Sequence, residues 1–116
     1  MDTERPIRMV YVAGKYSAKD QLEKRRYLLD AEKAALKVLQ RGDIPIIPHK
    51  ITYDFEFSLP DFDWIGKFCL PLLLRCDILV YVHPPEESEG VSKEVAFAKK
   101  MGIPVYSLEE YLVRLP

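Results

Sequence analysis

The chain has 116 residues, 48% hydrophobic and 30% charged, with a formal net charge of -1. This length corresponds to about one domain, so we expect residues 1–116 to fold as a single unit around one core. The nearly balanced charge disfavours a nucleic-acid polymer as partner. The two cysteines, the polar N-terminus and the lack of any apolar run near the roughly 20 residues of a membrane span predict a soluble cytoplasmic protein without a membrane partner.

Short apolar runs alternate with helical patterns, which is typical of an α/β protein. The first strand is predicted in residues 7–14, IRMVYVAG. The following helix is predicted to begin at Ser17, paired with Asp20 in a variant of the capping box, and to end at Gly42. Its apolar residues recur at helical spacing: Leu28, Ala31, Ala35 and Val38. Residues 44–47, IPII, are the second predicted strand.

The connection over residues 49–60 is long for so small a domain. Because it carries the aromatic residues Tyr53, Phe55 and Phe57, we expect a lid over a ligand. A short helix is predicted to follow, from residue 61 to residue 74, and to be kinked or restarted at Pro71.

The last third of the chain contains two more predicted strands, residues 77–82 and 103–106. A helix over residues 91–102 connects them, and HPPEESEG leads into it. Ser107 and Glu110 form a capping box for a terminal helix.

Right-handed crossovers between these elements predict a three-layer, doubly wound sheet of flavodoxin-like or Rossmann-like type. It is mostly parallel, with four to five strands in the order 2-1-3-4. Such sheets bind ligands beyond the carboxyl ends of their strands. Residues 14–17, 49–60 and 83–90 meet at that edge. Cys76 and Asp77 lie at the opposite end and are interpreted as structural.

Two of these loops enter helix N-termini, where free N–H groups favour a phosphate or carboxylate. Glycine and serine before a helix are also ordinary capping residues, so the pattern alone has two interpretations. The candidate residues for substrate or phosphate binding are Gly14, Lys15, Ser17, His49, Ser88, Gly90 and Ser92.

Glu94 lies in the first turn of the predicted helix that follows Ser88 and Gly90. The helix dipole favours its ionised form, which is the form that a nucleophile needs. A surface glutamate is the simpler alternative.

Other ligand classes are disfavoured by missing motifs. The chain has neither G-x-G-x-x-G after the first strand nor a P-loop, and a receiver domain would need acidic residues where Ala13 and His83 end two strands. His49 and His83 without clustered carboxylates or thiolates fall short of a metal site. We therefore expect neither a cofactor nor a metal.

Four segments carry a family resemblance: VYVAGKYS, PIIPH, LLLRCDILVYV and SEGVSKEVAFAKKMGIPVY. Together they resemble the nucleoside 2-deoxyribosyltransferase-like family, which includes nucleoside 5′-monophosphate N-glycosidases. The resemblance implies that Glu94 attacks the anomeric carbon and forms a glycosyl-enzyme intermediate, while Tyr11 positions it. A Tyr11 turned into the sheet packing would instead be core. Ser88 is expected to contact a 5′-phosphate, and Gly14 with Ser17 to form a second phosphate-facing turn.

The resemblance also implies a homodimer or larger homo-oligomer. The apolar FCLPLLL and Trp64 are candidates for its interface, although packing against the sheet explains them more simply.

One position departs from the family pattern. Bond-cleaving members carry an acidic residue before the third strand, and the matching position here is Cys69. Asp54, Asp61, Asp63 or the Cys69 thiol are the possible replacements. Two hypotheses follow. The chain is an enzyme that cleaves or transfers the N-glycosidic bond of a nucleoside or nucleoside 5′-monophosphate, or it is a non-catalytic nucleotide-binding module that has lost the acid.

Overall fold

The computed structural model describes residues 5–114, so the ends of the predicted domain, residues 1–4 and 115–116, lie outside the described residues. In chain order the elements are β1 (Met9–Ala13), α1 (Gln21–Gln40), β2 (Ile44–Ile46), α2 (Pro48–Thr52), a π-helical turn (Ile65–Cys69), α3 (Leu70–Leu73), β3 (Ile78–Tyr81), a 3₁₀ turn (Pro85–Glu87), α4 (Glu89–Lys100), β4 (Val105–Ser107) and α5 (Leu108–Arg114).

The four strands form one sheet in the order β2-β1-β3-β4, and each adjacent pair is parallel. This confirms the predicted doubly wound fold and its strand order. β1 and β3 lie in the centre, with Tyr11 opposite Leu79 in the register. The carboxyl ends of all four strands therefore point to the same edge of the sheet.

Alternation along β1 gives the sheet its two buried faces. Val10 and Val12 point to one face, and Tyr11 and Ala13 point to the other. The first face packs against α1 and α5 through Ala31, Ala34, Val38 and Tyr111. The second face packs against α3 and α4 through Leu73, Val91, Val95 and Ala98. Helices cover both sides of a parallel sheet, as expected for three layers.

The start of α1 differs from the prediction. Asp20, not Ser17, is the N-cap, and its carboxylate accepts a hydrogen bond of 2.8 Å from the backbone N–H of Glu23. Both residue types are good caps, but the helix begins three residues later than the serine allows. Residues 14–19 are consequently a free loop at the ligand edge of the sheet.

Two other predicted segments also differ in detail. The connection over residues 49–60 begins as helix α2 rather than as an open loop. The predicted helix over residues 61–74 is a π-helical turn followed by α3. Pro71 lies in the first turn of α3, where a helix tolerates a proline, so the helix restarts there, which is one of the two predicted alternatives.

The end of the chain follows the prediction. Ser107 and Glu110 form a reciprocal capping box at the start of α5, with hydrogen bonds of 2.9 and 3.1 Å. The FCLPLLL stretch packs mainly against the second face of the sheet, with Cys69 and Leu73 fully buried. The simpler interpretation of that stretch is therefore the one that the structure supports.

Asp43 joins three parts of the chain at the end of the sheet opposite the ligand edge. Its buried carboxylate accepts hydrogen bonds from Arg5 at 2.7 Å, Arg8 at 3.0 Å and the Tyr111 hydroxyl at 2.6 Å. Burial alone would raise the pKa of Asp43, but the hydrogen bonds from Arg8, Tyr111 and Arg5 hold it well below its usual range. The N-terminal segment, the α1–β2 connection and α5 therefore depend on one carboxylate.

We predict that Asp43→Asn lowers the free energy of unfolding by about 1.5–3 kcal/mol, because the amide loses the charge-assisted hydrogen bonds that the buried carboxylate accepts from Arg5, Arg8 and Tyr111. Since the folded pKa of Asp43 is depressed, its contribution is complete above pH ~3.9 and declines as the pH falls below that value. Urea unfolding followed by circular dichroism measures both effects. Asp61→Asn, at an exposed carboxylate, is the control, and equal losses in the two variants would contradict this account.

Candidate functional site

A cleft of about 190 Å³ opens at the carboxyl edge of the sheet. This is the edge where the loops after β1, β2 and β3 meet. Its walls are formed by Gly14, Tyr16, Ser17, His49, Thr52, Glu56, Trp64, Ile65, Cys69, Ser88 and Gly90.

The structure brings five of the seven predicted binding residues together in this cleft: Gly14, Ser17, His49, Ser88 and Gly90. Lys15 and Ser92 do not line it. The Lys15 ammonium forms an ion pair with Glu87 at 2.9 Å, and Ser92 lies on the exposed side of α4. The loops at the starts of α1 and α4 thus form two sides of the same cleft.

Ser88 is the N-cap of α4, and its hydroxyl accepts a hydrogen bond of 3.2 Å from the backbone N–H of Val91. Gly90 follows in the first turn, where the N–H groups of a helix have no intrahelical partner. A Cβ at position 90 would lie 3.5 Å from Ile65 Cδ1, an ordinary contact. Packing within the protein therefore does not require glycine at this position.

Tyr11 and Glu94 form a buried hydrogen-bonded pair directly inside the sheet edge. The Tyr11 hydroxyl donates to Oε2 of Glu94, and the two residues are 0% and 1% exposed. Glu94 lies in the second turn of α4, which begins at Glu89, and not in the first turn as the sequence predicts. The interpretation of Glu94 as a surface glutamate is thus wrong.

The second oxygen of Glu94, Oε1, has no hydrogen-bond partner within residues 5–114. No completely buried side-chain oxygen or nitrogen in that part of the chain lacks a partner. Oε1 therefore carries the small solvent contact that Glu94 retains. A carboxylate with one oxygen held and the other free is oriented for reaction or for ligand contact.

Burial raises the pKa of Glu94 to about 7, and the hydrogen bond from Tyr11 opposes this rise. The helix dipole is expected to favour the ionised form of Glu94. With a pKa of about 7, only about half of the Glu94 side chains are ionised near pH 7. Burial and the negative charge of Glu94 raise the pKa of Tyr11 far above its usual range, so the phenol stays protonated and remains a donor.

Cys69 lies next to both this pair and the cleft. It lines the cleft, and its thiol also interacts with Tyr11 and Glu94. Burial and the charge of Glu94 raise the pKa of the thiol to about 12. Within residues 5–114 neither Tyr11 nor Glu94 belongs to the cleft lining, so Cys69 is the lining residue, the floor of the cleft, that lies next to them.

Glu56 is the carboxylate that lines the cleft, and it is not among the site residues predicted from the sequence. It accepts hydrogen bonds from the Tyr16 hydroxyl at 2.6 Å and the Thr52 hydroxyl at 3.0 Å. The three predicted acids of this region do not line the cleft: Asp54 and Asp61 are exposed, and Asp63 caps the backbone N–H of Gly66 at 2.9 Å. The spacing of Thr52 and Glu56, four residues apart, was the available signal.

The segment over residues 49–60 meets the cleft through polar side chains rather than aromatic ones. Tyr53 and Phe55 are exposed, and Phe57 is 93% exposed. Among the described residues these three rings do not cover the cleft, so the predicted aromatic lid is not observed. The aromatic wall comes instead from Tyr16, which stacks on His49 with ring centroids 4.1 Å apart.

Burial, assisted by the positive charge of Lys24, lowers the pKa of His49 to about 4. The hydrogen bond to the Gly14 carbonyl opposes this fall. His49 is therefore a neutral ring at pH 7. The wall that it forms with Tyr16 is flat, and the Lys24 ammonium lies 4.4 Å from the centroid of the Tyr16 ring, so the ring of His49 is the face that suits a planar ligand.

His83 holds the two glycine-containing loops together. Its Nδ1 accepts a hydrogen bond of 2.9 Å from the backbone N–H of Lys15, and its Nε2 lies 2.9 Å from Asp30 Oδ2. An Nδ1 that accepts has no proton, so the hydrogen bonds assign the proton to Nε2. A Cβ at Gly14 would lie 3.2 Å from this Nδ1, which explains the glycine there.

No group of three or more His, Cys, Asp or Glu side chains in residues 5–114 is arranged to hold a metal ion. None of the helices in the same range combines the length and apolar character needed to cross a membrane.

The fold and the cleft define a doubly wound α/β protein with a small cleft, lined by polar and apolar side chains, at the carboxyl edge of its sheet. Residues 8–107 match a family described as a domain of unknown function, DUF4406, and the chain belongs to that family. No curated protein matches the sequence. Because the family has no assigned activity, the resemblance to nucleoside 2-deoxyribosyltransferases stays a prediction.

We predict that the wild type loses stability relative to Glu94→Gln as the pH rises from about 5 to about 8. The pKa of Glu94 is raised from 4.5 to about 7, so protonated Glu94 stabilises the fold below pH ~4.5 and this contribution is lost through pH 7. At about 1.4 kcal/mol per pKa unit, the difference approaches about 3 kcal/mol.

Urea unfolding of both proteins at the two pH values measures the effect. Glu89→Gln, at an exposed carboxylate on the same helix, is the matched control. Parallel pH profiles for the wild type and Glu94→Gln would contradict the assignment.

Proposed function

We propose that the protein cleaves or transfers the N-glycosidic bond of nucleosides or nucleoside 5′-monophosphates, with Glu94 as nucleophile. The observation that carries the proposal is the Tyr11–Glu94 pair, which lies behind the floor of a cleft at the ligand edge. A carboxylate held on one oxygen and free on the other fits nucleophilic catalysis.

In the proposed reaction, Oε1 of Glu94 attacks C1′ of the sugar. The bond between C1′ and the base nitrogen breaks, its electron pair leaves with the base, and a glycosyl ester of Glu94 forms. Water or a second base then attacks C1′ and restores the carboxylate. The Tyr11 hydroxyl remains on Oε2 throughout and fixes the plane of the carboxylate.

The loops at the two helix starts support the sugar-phosphate half of the proposal. Ser88 and Gly90 present the N-terminus of α4 to the cleft, and Gly14 and Ser17 face it from the loop after β1. Free helix N–H groups favour a phosphate. Packing leaves space for a Cβ at Gly90, so the glycine there suits close approach by a ligand.

Two features make the proposed enzyme slow. The Cys69 side chain must move aside before Oε1 reaches C1′, because it forms the floor between them. A thiol with a pKa of about 12 is also a weak acid for the leaving base. General acid assistance contributes typically about 10²- to 10⁴-fold, so a cleft without a carboxylic acid at position 69 forgoes much of that factor.

A non-catalytic nucleotide-binding module is the second candidate, and the same observations favour it. Glu94 is buried behind Cys69, and its pKa of about 7 leaves much of it protonated at neutral pH. Binding without turnover needs only the cleft walls and the helix N-terminus.

We predict that the wild type releases free base from at least one member of a panel of ribo- and deoxynucleosides and their 5′-monophosphates. Release by Glu94→Gln falls to the protein-free rate, because an amide cannot form the glycosyl ester. Tyr11→Phe retains reduced release, since the carboxylate remains but its orientation is lost. Chromatography of the free base measures all three.

Glu89→Gln, on the same helix, is the control for nonspecific loss. Base release that persists unchanged in Glu94→Gln would contradict the nucleophile assignment. Nucleotide binding without release by the wild type would favour the non-catalytic module.

For partners, we propose a homodimer formed through the exposed face of α1. Leu22, Leu29 and Leu36 follow one another at seven-residue intervals and are 70%, 48% and 56% exposed. The opposite side of α1 packs on the sheet, so the helix has two apolar faces. A large exposed apolar stripe of this kind marks an interaction surface.

A second copy packed antiparallel on α1 fits the pattern of charges. With Leu29 opposite its symmetry mate, Leu22 faces Leu36 of the other copy, and Arg26 faces Glu32, which also pairs with Lys50 of its own chain at 2.8 Å. Two symmetric ion pairs thus flank an apolar centre, as an isologous interface requires.

Both cysteines are free and buried, and we propose the reducing cytoplasm as the compartment.

We predict that the wild type sediments at twice the 13.5 kDa of one chain, and that Leu29→Glu sediments as a monomer. Val113→Glu, which changes an exposed apolar residue outside α1, leaves the mass unchanged. Analytical ultracentrifugation distinguishes these outcomes. A wild-type monomer at high concentration, or a dimer that survives Leu29→Glu, would exclude the α1 interface.

A further inference from the structure

Glu56 is fixed in the cleft by two donors that both approach the same oxygen. Tyr16 and Thr52 donate to Oε2, at 2.6 and 3.0 Å. Thr52 is only 2% exposed, so its hydroxyl is part of the rigid wall. The other oxygen, Oε1, has no hydrogen-bond partner within residues 5–114. Glu56 therefore presents one free acceptor at the cleft wall.

The surroundings of Glu56 select a planar ligand. Tyr16, which holds the carboxylate, is also stacked on His49 with nearly parallel rings, 2° apart. Because the Lys24 ammonium contacts the Tyr16 ring, 4.4 Å from its centroid, the neutral ring of His49 is the stacking surface that the pair offers to a ligand. A flat ring that contacts this wall brings its edge toward Glu56, which lines the same cleft.

An ionised carboxylate accepts hydrogen bonds and has none to donate. Cytosine, adenine and guanine carry an exocyclic amino group, which donates, whereas uracil and thymine carry carbonyl oxygens on both sides of their one ring N–H donor, so a carboxylate that accepts from this N–H also faces two acceptors. A carbonyl that faces Glu56 places two acceptors opposite each other, and neither gains a hydrogen bond. A missing hydrogen bond alone already weakens binding strongly, so this arrangement is disfavoured.

We infer that Glu56 is the specificity-determining residue of the cleft and selects nucleosides or nucleotides whose base carries an exocyclic amino group. This inference rests on the proposed function only for the presence of a nucleoside or nucleotide in the cleft. It applies equally to an enzyme and to a binding module.

The test uses equilibrium titration of the wild-type protein with five nucleoside 5′-monophosphates, those of adenine, guanine, cytosine, uracil and thymine. Trp64, the single tryptophan of the chain, lines the cleft, so its fluorescence reports binding at this site. We expect the three amino-bearing bases to bind at least about tenfold more tightly than the other two.

Two variants isolate the carboxylate. Glu56→Gln supplies an amide donor that satisfies a carbonyl, so the preference shrinks to less than about threefold or reverses. Asp54→Asn removes an equal charge two residues away at an exposed position and leaves the preference unchanged. Circular dichroism of each variant verifies that the fold is retained.

The outcomes separate the two ideas. If uracil and thymine nucleotides bind the wild type as tightly as the other three, the inference is overturned and the proposed function is unaffected. The same conclusion follows if the preference for amino-bearing bases survives in folded Glu56→Gln. Failure of all five nucleotides and their nucleosides to bind overturns the proposed function, and the inference with it.

Discussion

The hydrogen bond between Tyr11 and Glu94 is the interaction on which the site depends. It joins the central strand β1 to α4 across a buried face of the sheet. An isolated carboxylate in that position would be too costly, because burial removes its hydration. The donor from Tyr11 reduces that cost, and burial still leaves the pKa of Glu94 near 7. The fold therefore contains a carboxylate with a raised pKa near the carboxyl edge of its sheet. Residues with perturbed pKa values are often functional.

The rest of the cleft is arranged around that pair. His83 ties the loop after β1 to α1, and Ser88 caps the helix that carries Glu94. The Asp43 hub secures the opposite end of the sheet, so both ends of the short strands are anchored. Each connection is a polar contact between elements distant in sequence. These contacts hold the backbone around the cleft in place. Such support is needed if, as proposed, a small movement of the Cys69 side chain opens the path from the cleft to Glu94.

The sequence predicts the fold well because hydrophobic periodicity and crossover handedness leave few alternatives. It predicts which loops line the cleft for the same reason, since strand order determines which loops meet. Side-chain contacts over long sequence separation are not encoded in local pattern. Ser17 and Asp20 are both acceptable caps, so the choice between them depends on the loop before α1. Glu56 was missed because its partner Tyr16 lies 40 residues away.

The most direct measurement is to trap the proposed intermediate with a 2′-fluoro-substituted nucleoside 5′-monophosphate, which slows breakdown of a glycosyl ester. Trypsin cleaves after Lys93 and Lys99, so Glu94 lies in a peptide of residues 94–99. We predict that mass spectrometry finds the added sugar phosphate on that peptide in the wild type and on no peptide of Glu94→Gln. A turnover-competent protein that forms its adduct on another peptide, or forms none, would contradict Glu94 as the nucleophile.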